Sequence, residues 1–233
     1  MTGSASPRRA ESPHSQTLDR GIRALELLAQ ADRPLSIAEL GARLGVHRSI
    51  VYRIVRTLED HHLVSRGPGG RLLLGTGLAV LSSSVRPSLQ TAALPELSDL
   101  ANALGMTSFL VVREGDEAVT VQSVEPRHST VHVVYRPGVR HGVDRGAPGL
   151  ALLAGVPPVT GERAEVREAR ARGWATSRGE VLPGMRAVAS PIVDARGGVA
   201  GAVSVVYVES PHSTKQIGSR VISTAEAIAR EIP

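Results

Sequence analysis

The chain has 233 residues, of which 42% are apolar, and this length and composition predict two globular domains rather than a disordered or membrane protein. No apolar run approaches the roughly 20 residues that span a bilayer, and the absence of cysteine excludes disulfides, thiolate metal sites and cysteine nucleophiles. The formal net charge of +5 lies at one end, because residues 1–86 contain 12 arginines against 7 acidic residues and the remainder is neutral. A basic first domain indicates a polyanionic partner.

Residues 1–16 mix serine, proline and charged residues without an apolar segment. This composition predicts a disordered arm and argues against a signal peptide. We therefore expect a cytoplasmic, nucleoid-associated protein that does not contact a membrane.

The next segment, residues 17–76, has the pattern of a winged helix-turn-helix. Apolar residues recur at helical spacing over residues 17–30, and Ser36 and Glu39 form a capping-box pattern before a short helix that stops at Gly45. A third helix is predicted over residues 46–62, with apolar residues on one face and arginine, tyrosine and serine on the other. Such a helix can bury one side while the other offers hydrogen-bond donors to a DNA groove.

A hairpin is predicted after the third helix, where two short strands flank the glycine-rich residues 67–70. Its arginines lie beside the tip, where a wing can reach a phosphate backbone. The predicted DNA contacts therefore come from the start of the second helix, the third helix and the wing: Ser36, His47, Arg48, Ser49, Tyr52, Arg53, Arg56, Arg66 and Arg71.

Residues 77–92 are predicted to form a linker helix, and residues 93–233 a second domain. Helices are expected over 77–84 and 88–104 with a break near Pro87, and Pro95 is expected in the first turn of the helix that follows. Strands are predicted over 107–113, 118–124, 130–135, 187–193 and 199–208, and further helices over 149–154, 162–172 and 213–231. Antiparallel strands with helices packed on one side make an α+β sandwich.

Both domains resemble the IclR family of bacterial transcription regulators. The resemblance is carried by residues 35–40, 48–58 and 71–75 in the first domain and by residues 144–154, 172–175 and 184–192 in the second. It implies a GAF-like or profilin-like effector domain and a homodimer or homotetramer that binds double-stranded DNA. It also implies control by a small organic or aromatic acid and favours a repressor over an activator.

The resemblance places the effector between the sheet and the short helix, at Gly146, Ala147, Gly149, Ser177, Met185, Ala187 and Ser204. Backbone amides at a helix N-terminus favour a carboxylate, although Pro148 removes one donor. The chain departs from the family at Leu150, where lysine is common, and at Ser177, where an acidic residue can occur. The stretch over residues 155–163 is also shorter than usual.

The second domain contains one histidine cluster, His128, His132 and His141, without an acidic partner at regular spacing. This pattern indicates surface histidines, so neither a metal nor a cofactor is predicted. A nucleophile elbow, a phosphate loop and a His-Glu zinc motif are missing from the sequence, which argues against an enzyme. Two alternatives stay open: a ligand-independent DNA-binding repressor, and a GAF-type metabolite-binding module or enzyme with an incidental N-terminal domain.

Overall fold

The computed structural model describes residues 15–84, 86–128 and 133–232, which form two compact units divided between residues 85 and 86. The predicted disordered arm lies outside the described residues except for Ser15 and Gln16, and Gln16 begins the first helix. None of the described helices is long and apolar enough to cross a membrane.

The first unit is a winged helix-turn-helix, as the sequence predicts. Its elements are α1 (Gln16–Ala29), α2 (Ile37–Leu44), α3 (Arg48–Asp60), β1 (Val64–Arg66), β2 (Leu72–Leu74) and α4 (Gly77–Ser83). The two strands pair antiparallel around a single 3₁₀ turn over Pro68–Gly70, which forms the wing. Gly45 closes α2 in the left-handed conformation (φ +67°), which glycine adopts without a side-chain clash.

Ser36 and Glu39 hold the start of α2. The Glu39 amide donates to Ser36 Oγ at 3.2 Å and the Ser36 amide donates to Glu39 Oε2 at 2.7 Å, which confirms the predicted capping box. Arg33 and Arg71 each donate to one oxygen of the same carboxylate at 2.6 Å. The backbone hydrogen bond from Ser36, followed by the Ser36 side chain and Arg33, lowers the pKa of Glu39 to about 2.

The low pKa of Glu39 predicts an acid-sensitive first domain. Because folding stabilises the charged carboxylate, its contribution is fully present above the ordinary pKa of 4.5 and is lost as the pH falls towards about 2. We expect Glu39→Gln to reduce the dependence of thermal unfolding on pH within this window, whereas Glu26→Gln on the exposed side of α1 leaves it unchanged. Thermal unfolding is monitored by circular dichroism. If its pH dependence is the same in the wild type and in Glu39→Gln, Glu39 does not have this role.

The second unit is built on a six-stranded antiparallel sheet in the order β5-β4-β3-β8-β7-β6. Its elements are α5 (Pro87–Leu104), β3 (Thr107–Glu114), β4 (Glu117–Val124), β5 (Arg140–Gly142), α6 (Gly146–Ala154), α7 (Ala164–Arg172), β6 (Ala175–Arg178), β7 (Arg186–Val193), β8 (Val199–Tyr207) and α8 (Thr214–Glu231). The α+β class is therefore confirmed.

Helices cover both faces of this sheet, so the expectation that they pack on one side is wrong. On β3, Leu110 and Val112 belong to the core formed with α5 and α8, whereas Phe109 and Val111 belong to the core formed with α6 and α7. Successive side chains of a strand point to opposite faces, and here both sets are apolar. A central strand of this composition needs a packing layer on each side.

The predicted helix over residues 88–104 agrees with α5, which runs without interruption from Pro87 to Leu104, but the expectation that Pro95 stands in the first turn of a helix is wrong. Pro95 is exposed, so the backbone hydrogen bond that proline cannot donate is lost on the solvent side of the helix. Leu89, Ala93 and Leu97 continue one buried stripe along the opposite side. The boundary expected between residues 92 and 93 therefore falls inside a helix.

The sheet edges differ from the predicted pattern. Residues 130–132 of the predicted strand 130–135 lie outside the described residues, and residues 133–135 form no strand. The edge positions are taken instead by β5 and β6, two short strands that the sequence analysis did not predict. Helix α6 begins at Gly146, three residues before the predicted start.

Leu150, at the position where the family commonly has lysine, is fully buried at the centre of α6. We expect Leu150→Ala to lower the free energy of unfolding by about 2–5 kcal/mol, because it leaves a cavity in the core between α6 and the sheet. Leu153→Ala on the same helix should cost less, since Leu153 is only partly buried. Equal losses for the two variants in denaturant unfolding would show that α6 is not packed in this way.

Candidate nucleic-acid interface and ligand pocket

Helix α3 separates its buried and exposed residues cleanly. The buried face consists of Val51, Ile54, Val55 and Leu58, which belong to the core of the first unit. The other face exposes the predicted contact residues Arg48, Ser49, Tyr52, Arg53 and Arg56. The arrangement therefore leaves one continuous polar face of α3 open to solvent.

The start of α3 is ordered by its own polar side chains. His47 is the N-cap residue, and its Nδ1 accepts a hydrogen bond from the Ser49 amide at 3.4 Å. Arg48 donates to the Tyr52 hydroxyl at 3.2 Å, with its guanidinium carbon 5.4 Å from the centre of the tyrosine ring. These contacts hold Arg48, the first residue of α3, against Tyr52 one turn later.

Arg53 and Arg56 are exposed farther along the same face. Among the residues that the structure describes, neither guanidinium group has an ion-pair or hydrogen-bond partner. Their charges are therefore available to an anionic partner without the loss of an existing contact.

The two wing arginines, by contrast, are already paired. Arg66 donates from Nε and Nη2 to the carboxylate of Glu59 at 2.7 and 3.4 Å, and Arg71 donates to Glu39. The Ser36 hydroxyl, also a predicted DNA contact, is engaged in the capping box. Phosphate binding by these three residues would have to share or replace contacts within the domain.

A small cavity of about 30 Å³ lies in the second unit beside the start of α6. Its wall combines α6, the sheet and the segment between β6 and β7, with Phe109, Tyr135, His141, Gly146, Pro148, Ser177, Gly179, Glu180, Val181, Leu182, Met185, Arg186, Ala187 and Val206 as lining residues. The cavity is partly open to solvent.

Four of the predicted effector residues, Gly146, Ser177, Met185 and Ala187, line this cavity, whereas Ala147, Gly149 and Ser204 do not. The Ser204 hydroxyl is fully buried and donates to the Val188 carbonyl at 3.1 Å, which is a contact within the sheet. A Cβ atom on Gly149 would lie 2.4 Å from the Val143 carbonyl oxygen, so glycine there permits close packing of α6.

The amides at the start of α6 already have partners in the protein. The Gly146 amide donates to Glu180 Oε2 and the Ala147 amide donates to Ser177 Oγ, both at 2.8 Å. Glu180 was not among the predicted site residues, because 34 residues separate it from Gly146. The carboxylate that lies at this helix terminus belongs to the protein itself.

The aromatic wall and His141 were also missed. The rings of Phe109 and Tyr135 lie 4.4 Å apart, and burial raises the pKa of the Tyr135 hydroxyl, an effect that a hydrogen bond with the Thr120 side chain opposes. His141 is only 9% exposed, so its assignment as a surface histidine is wrong. Its position on the edge strand β5 follows from sheet pairing, which local sequence patterns do not reveal.

The remaining members of the histidine cluster do not form a site in the described chain. His128 is exposed, and His132 lies outside the described residues. Across the part of the chain that the structure describes, no three His, Cys, Asp or Glu side chains group closely enough to hold a metal ion.

Comparison with protein families matches both domains. The IclR helix-turn-helix domain matches residues 17–68, and the bacterial transcriptional regulator IclR C-terminal domain matches residues 161–233. The regulator Rv1719 of Mycobacterium tuberculosis is 36% identical over 150 residues, which cover 64% of this chain and 58% of that protein. The glycerol operon regulatory protein of Streptomyces griseus is 28% identical over 212 residues, covering 82% of this chain and 84% of that protein.

Solved structures agree over nearly the whole chain. An IclR transcriptional regulator from Alicyclobacillus acidocaldarius has a TM-score of 0.75 at 26% identity, covering 95% of this chain and 100% of that one. An IclR homologue from Microbacterium hydrocarbonoxydans, complexed with 4-hydroxybenzoate, shares the fold with a TM-score of 0.77 at 21% identity, covering 93% of this chain and 99% of that one. The chain therefore belongs to the IclR family of DNA-binding transcriptional regulators and is not an enzyme.

Proposed function

We propose that the protein is a repressor that binds a palindromic operator as a homodimer and changes its affinity for DNA when a small organic ligand occupies the cavity beside α6. The DNA-binding part of this proposal rests on the polar face of α3, which has two unpaired arginines among the described residues. Such a protein would act in the cytoplasm, on the nucleoid.

The composition of this face suits a major groove. An α-helix fits the groove, and arginine is the side chain that most often reads guanine, through two parallel hydrogen bonds. Arg53 and Arg56 follow Arg48 and Ser49 along α3, so the face offers several donors over successive turns. We assign base reading to α3 and a weaker, phosphate-positioning role to the wing, because Arg66 and Arg71 are engaged with Glu59 and Glu39.

The ligand-binding half rests on the cavity and on one relative. The related structure that contains 4-hydroxybenzoate supports an aromatic or other organic acid as the class of effector. A ligand can shift the DNA-binding equilibrium only if it binds one conformation more tightly than another. In this proposal the two states are the unliganded conformation, with its small cavity beside α6, and a liganded one.

A ligand-independent repressor is the second candidate, and the small volume of the cavity favours it. A thermal-shift screen of small organic acids separates the two candidates, because a ligand that binds the folded state raises the melting temperature. A hit that also changes DNA affinity supports the first candidate, and a screen without hits supports the second.

Arg53 provides the most direct test of DNA binding. We expect Arg53→Ala to weaken binding to the promoter region of the protein's own or a neighbouring gene by about 1–3 kcal/mol, because a contact to a base edge is lost. Arg220→Ala, which removes an exposed arginine from α8, is the matched control and should leave affinity unchanged. Fluorescence anisotropy at several salt concentrations should also show the steep decline typical of phosphate contacts. Unchanged affinity in Arg53→Ala would show that Arg53 does not contact the DNA.

The apolar stripe on α1 supports the homodimer. Leu18 is 64% exposed and Ile22, one turn later, is 48% exposed. An operator with two-fold symmetry requires a two-fold protein, and apolar side chains on an exposed helix are suited to such a contact. We propose that this stripe packs against a second copy of the chain.

Charge placed on this stripe should separate the two copies. We expect Ile22→Glu to shift the protein towards monomer in sedimentation velocity and to weaken operator binding. Val159→Glu introduces the same charge at a residue that is 67% exposed in the second unit and should preserve the oligomer. A dimer that survives Ile22→Glu argues for another interface, and a tetramer in the wild type would require a second one.

A further inference from the structure

Tyr52 is the only aromatic residue in residues 1–86, and it lies outside the core of the first unit. Its side chain is 43% exposed on the polar face of α3. The other four aromatic side chains of the sequence pack in the two cores of the second unit: Phe109, Tyr135, Trp174 and Tyr207. An exposed tyrosine that the core does not need is typical of a surface that contacts a partner.

The Tyr52 hydroxyl holds the side chain of Arg48, which lies one turn earlier on the same face. Nη2 of Arg48 donates to this hydroxyl at 3.2 Å, and the guanidinium carbon lies 5.4 Å from the ring centre. An exposed arginine without such a contact samples many rotamers, and ordering one of them on binding lowers the affinity. Tyr52 therefore prepares one orientation of the Arg48 guanidinium before DNA is bound.

The contact with Tyr52 leaves Arg48 able to read a guanine. A guanidinium group has five N–H donors, and Nη2 contributes one hydrogen to a parallel pair with Nε and the other to a parallel pair with Nη1. Whichever of these hydrogens Tyr52 accepts, the other pair stays intact. Guanine presents N7 and O6 as two acceptors in the major groove, and such a pair of arginine donors binds both.

The ring of Tyr52 is placed to contact a neighbouring base pair. Successive base pairs are stacked about 3.4 Å apart, and the ring centre lies 5.4 Å from the guanidinium carbon, so the two groups face different pairs of one step. The apolar group that a base pair presents in the major groove is the 5-methyl group of thymine. An aromatic ring beside a guanine-reading arginine therefore favours thymine at the adjacent position.

We propose that Arg48 and Tyr52 form one recognition unit for a guanine next to a thymine. Tyr52 is a positioning residue for Arg48, whose paired N–H groups bind guanine N7 and O6, and its ring contacts the 5-methyl group of the thymine. The assignment rests on the proposed function, since it names the bases that this part of α3 reads. Arg53 and Arg56 differ, because their guanidinium groups have no partner among the described residues that would orient them.

Two modified nucleotides test the two contacts separately. Selection from random duplex DNA with the full-length protein first supplies the preferred site. 7-Deazaguanine then removes N7 and deoxyuridine removes the thymine methyl group, and both keep the base pairing. In the wild type we expect a loss of affinity of about three- to tenfold from 7-deazaguanine at a guanine next to a thymine, and of about two- to fourfold from deoxyuridine at that thymine. Unchanged affinity with either nucleotide at every such position overturns the assignment.

Three substitutions assign these losses to side chains. Tyr52→Phe keeps the ring without the hydroxyl, so the 7-deazaguanine loss should shrink to about twofold or less while the deoxyuridine loss persists. Tyr52→Ala should reduce both losses, and Arg48→Ala should abolish the guanine effect alone. Both positions are exposed, so we expect melting temperatures equal to that of the wild type. A 7-deazaguanine loss that is unchanged in Tyr52→Phe shows that Tyr52 does not position Arg48.

Arg53→Ala is the matched control, because it removes another exposed arginine from the same face. It should weaken the binding of modified and unmodified DNA by the same factor and therefore keep both losses. Disappearance of the guanine effect in Arg53→Ala would assign that contact to Arg53 and overturn the role of Arg48. A protein that selects a DNA sequence but shows neither loss refutes only this inference, whereas a protein that selects no sequence refutes the proposed function.

Discussion

Burial of both faces of the six-stranded sheet is the constraint on which the second unit depends. Strand β3 places Phe109 and Leu110 into two different cores, so one helical layer cannot satisfy it. The layer over the second face includes α6, in which all residues except Leu153 are buried. A helix buried to this extent cannot satisfy its terminal amides with bulk water. The protein must therefore supply acceptors from a neighbouring element, and Ser177 and Glu180 do so.

The first unit differs, because its helix α3 is buried on one face only. Helix α3 packs with only one face, so its other face is exposed and is not needed for the core. Not every exposed arginine is equally free, because Arg66 and Arg71 take part in ion pairs that connect the wing to α3 and α2. Exposure alone therefore does not identify a DNA contact. The existing partners of a charged side chain decide whether a phosphate gains a contact or has to displace one.

The sequence predicted the elements whose signal lies in their own residues. Helix α3 has helical periodicity, Ser36 and Glu39 form a local capping pattern, and the long strands β3, β7 and β8 are rich in apolar and β-branched residues; their predicted positions agree with the structure. The strands β5 and β6 are three and four residues long, too short for alternation to be recognised. Pro95 is misleading in the sequence because proline usually stands in the first turn of a helix or ends one, whereas an interior proline is tolerated where its side of the helix faces solvent.

The cavity beside α6 shows the same limit more sharply. The glycine-rich start of α6 is visible in the sequence and identifies donors, but the acceptor that occupies them is distant in the chain and is brought there by the pairing of β6 with β7. His141 reaches the pocket through the equally short β5. The polar partners of α6 are therefore set by the pairing of short strands that are distant in the chain. A ligand that binds the Gly146 amide has to replace its hydrogen bond with Glu180, and its affinity depends on how well its own groups do so.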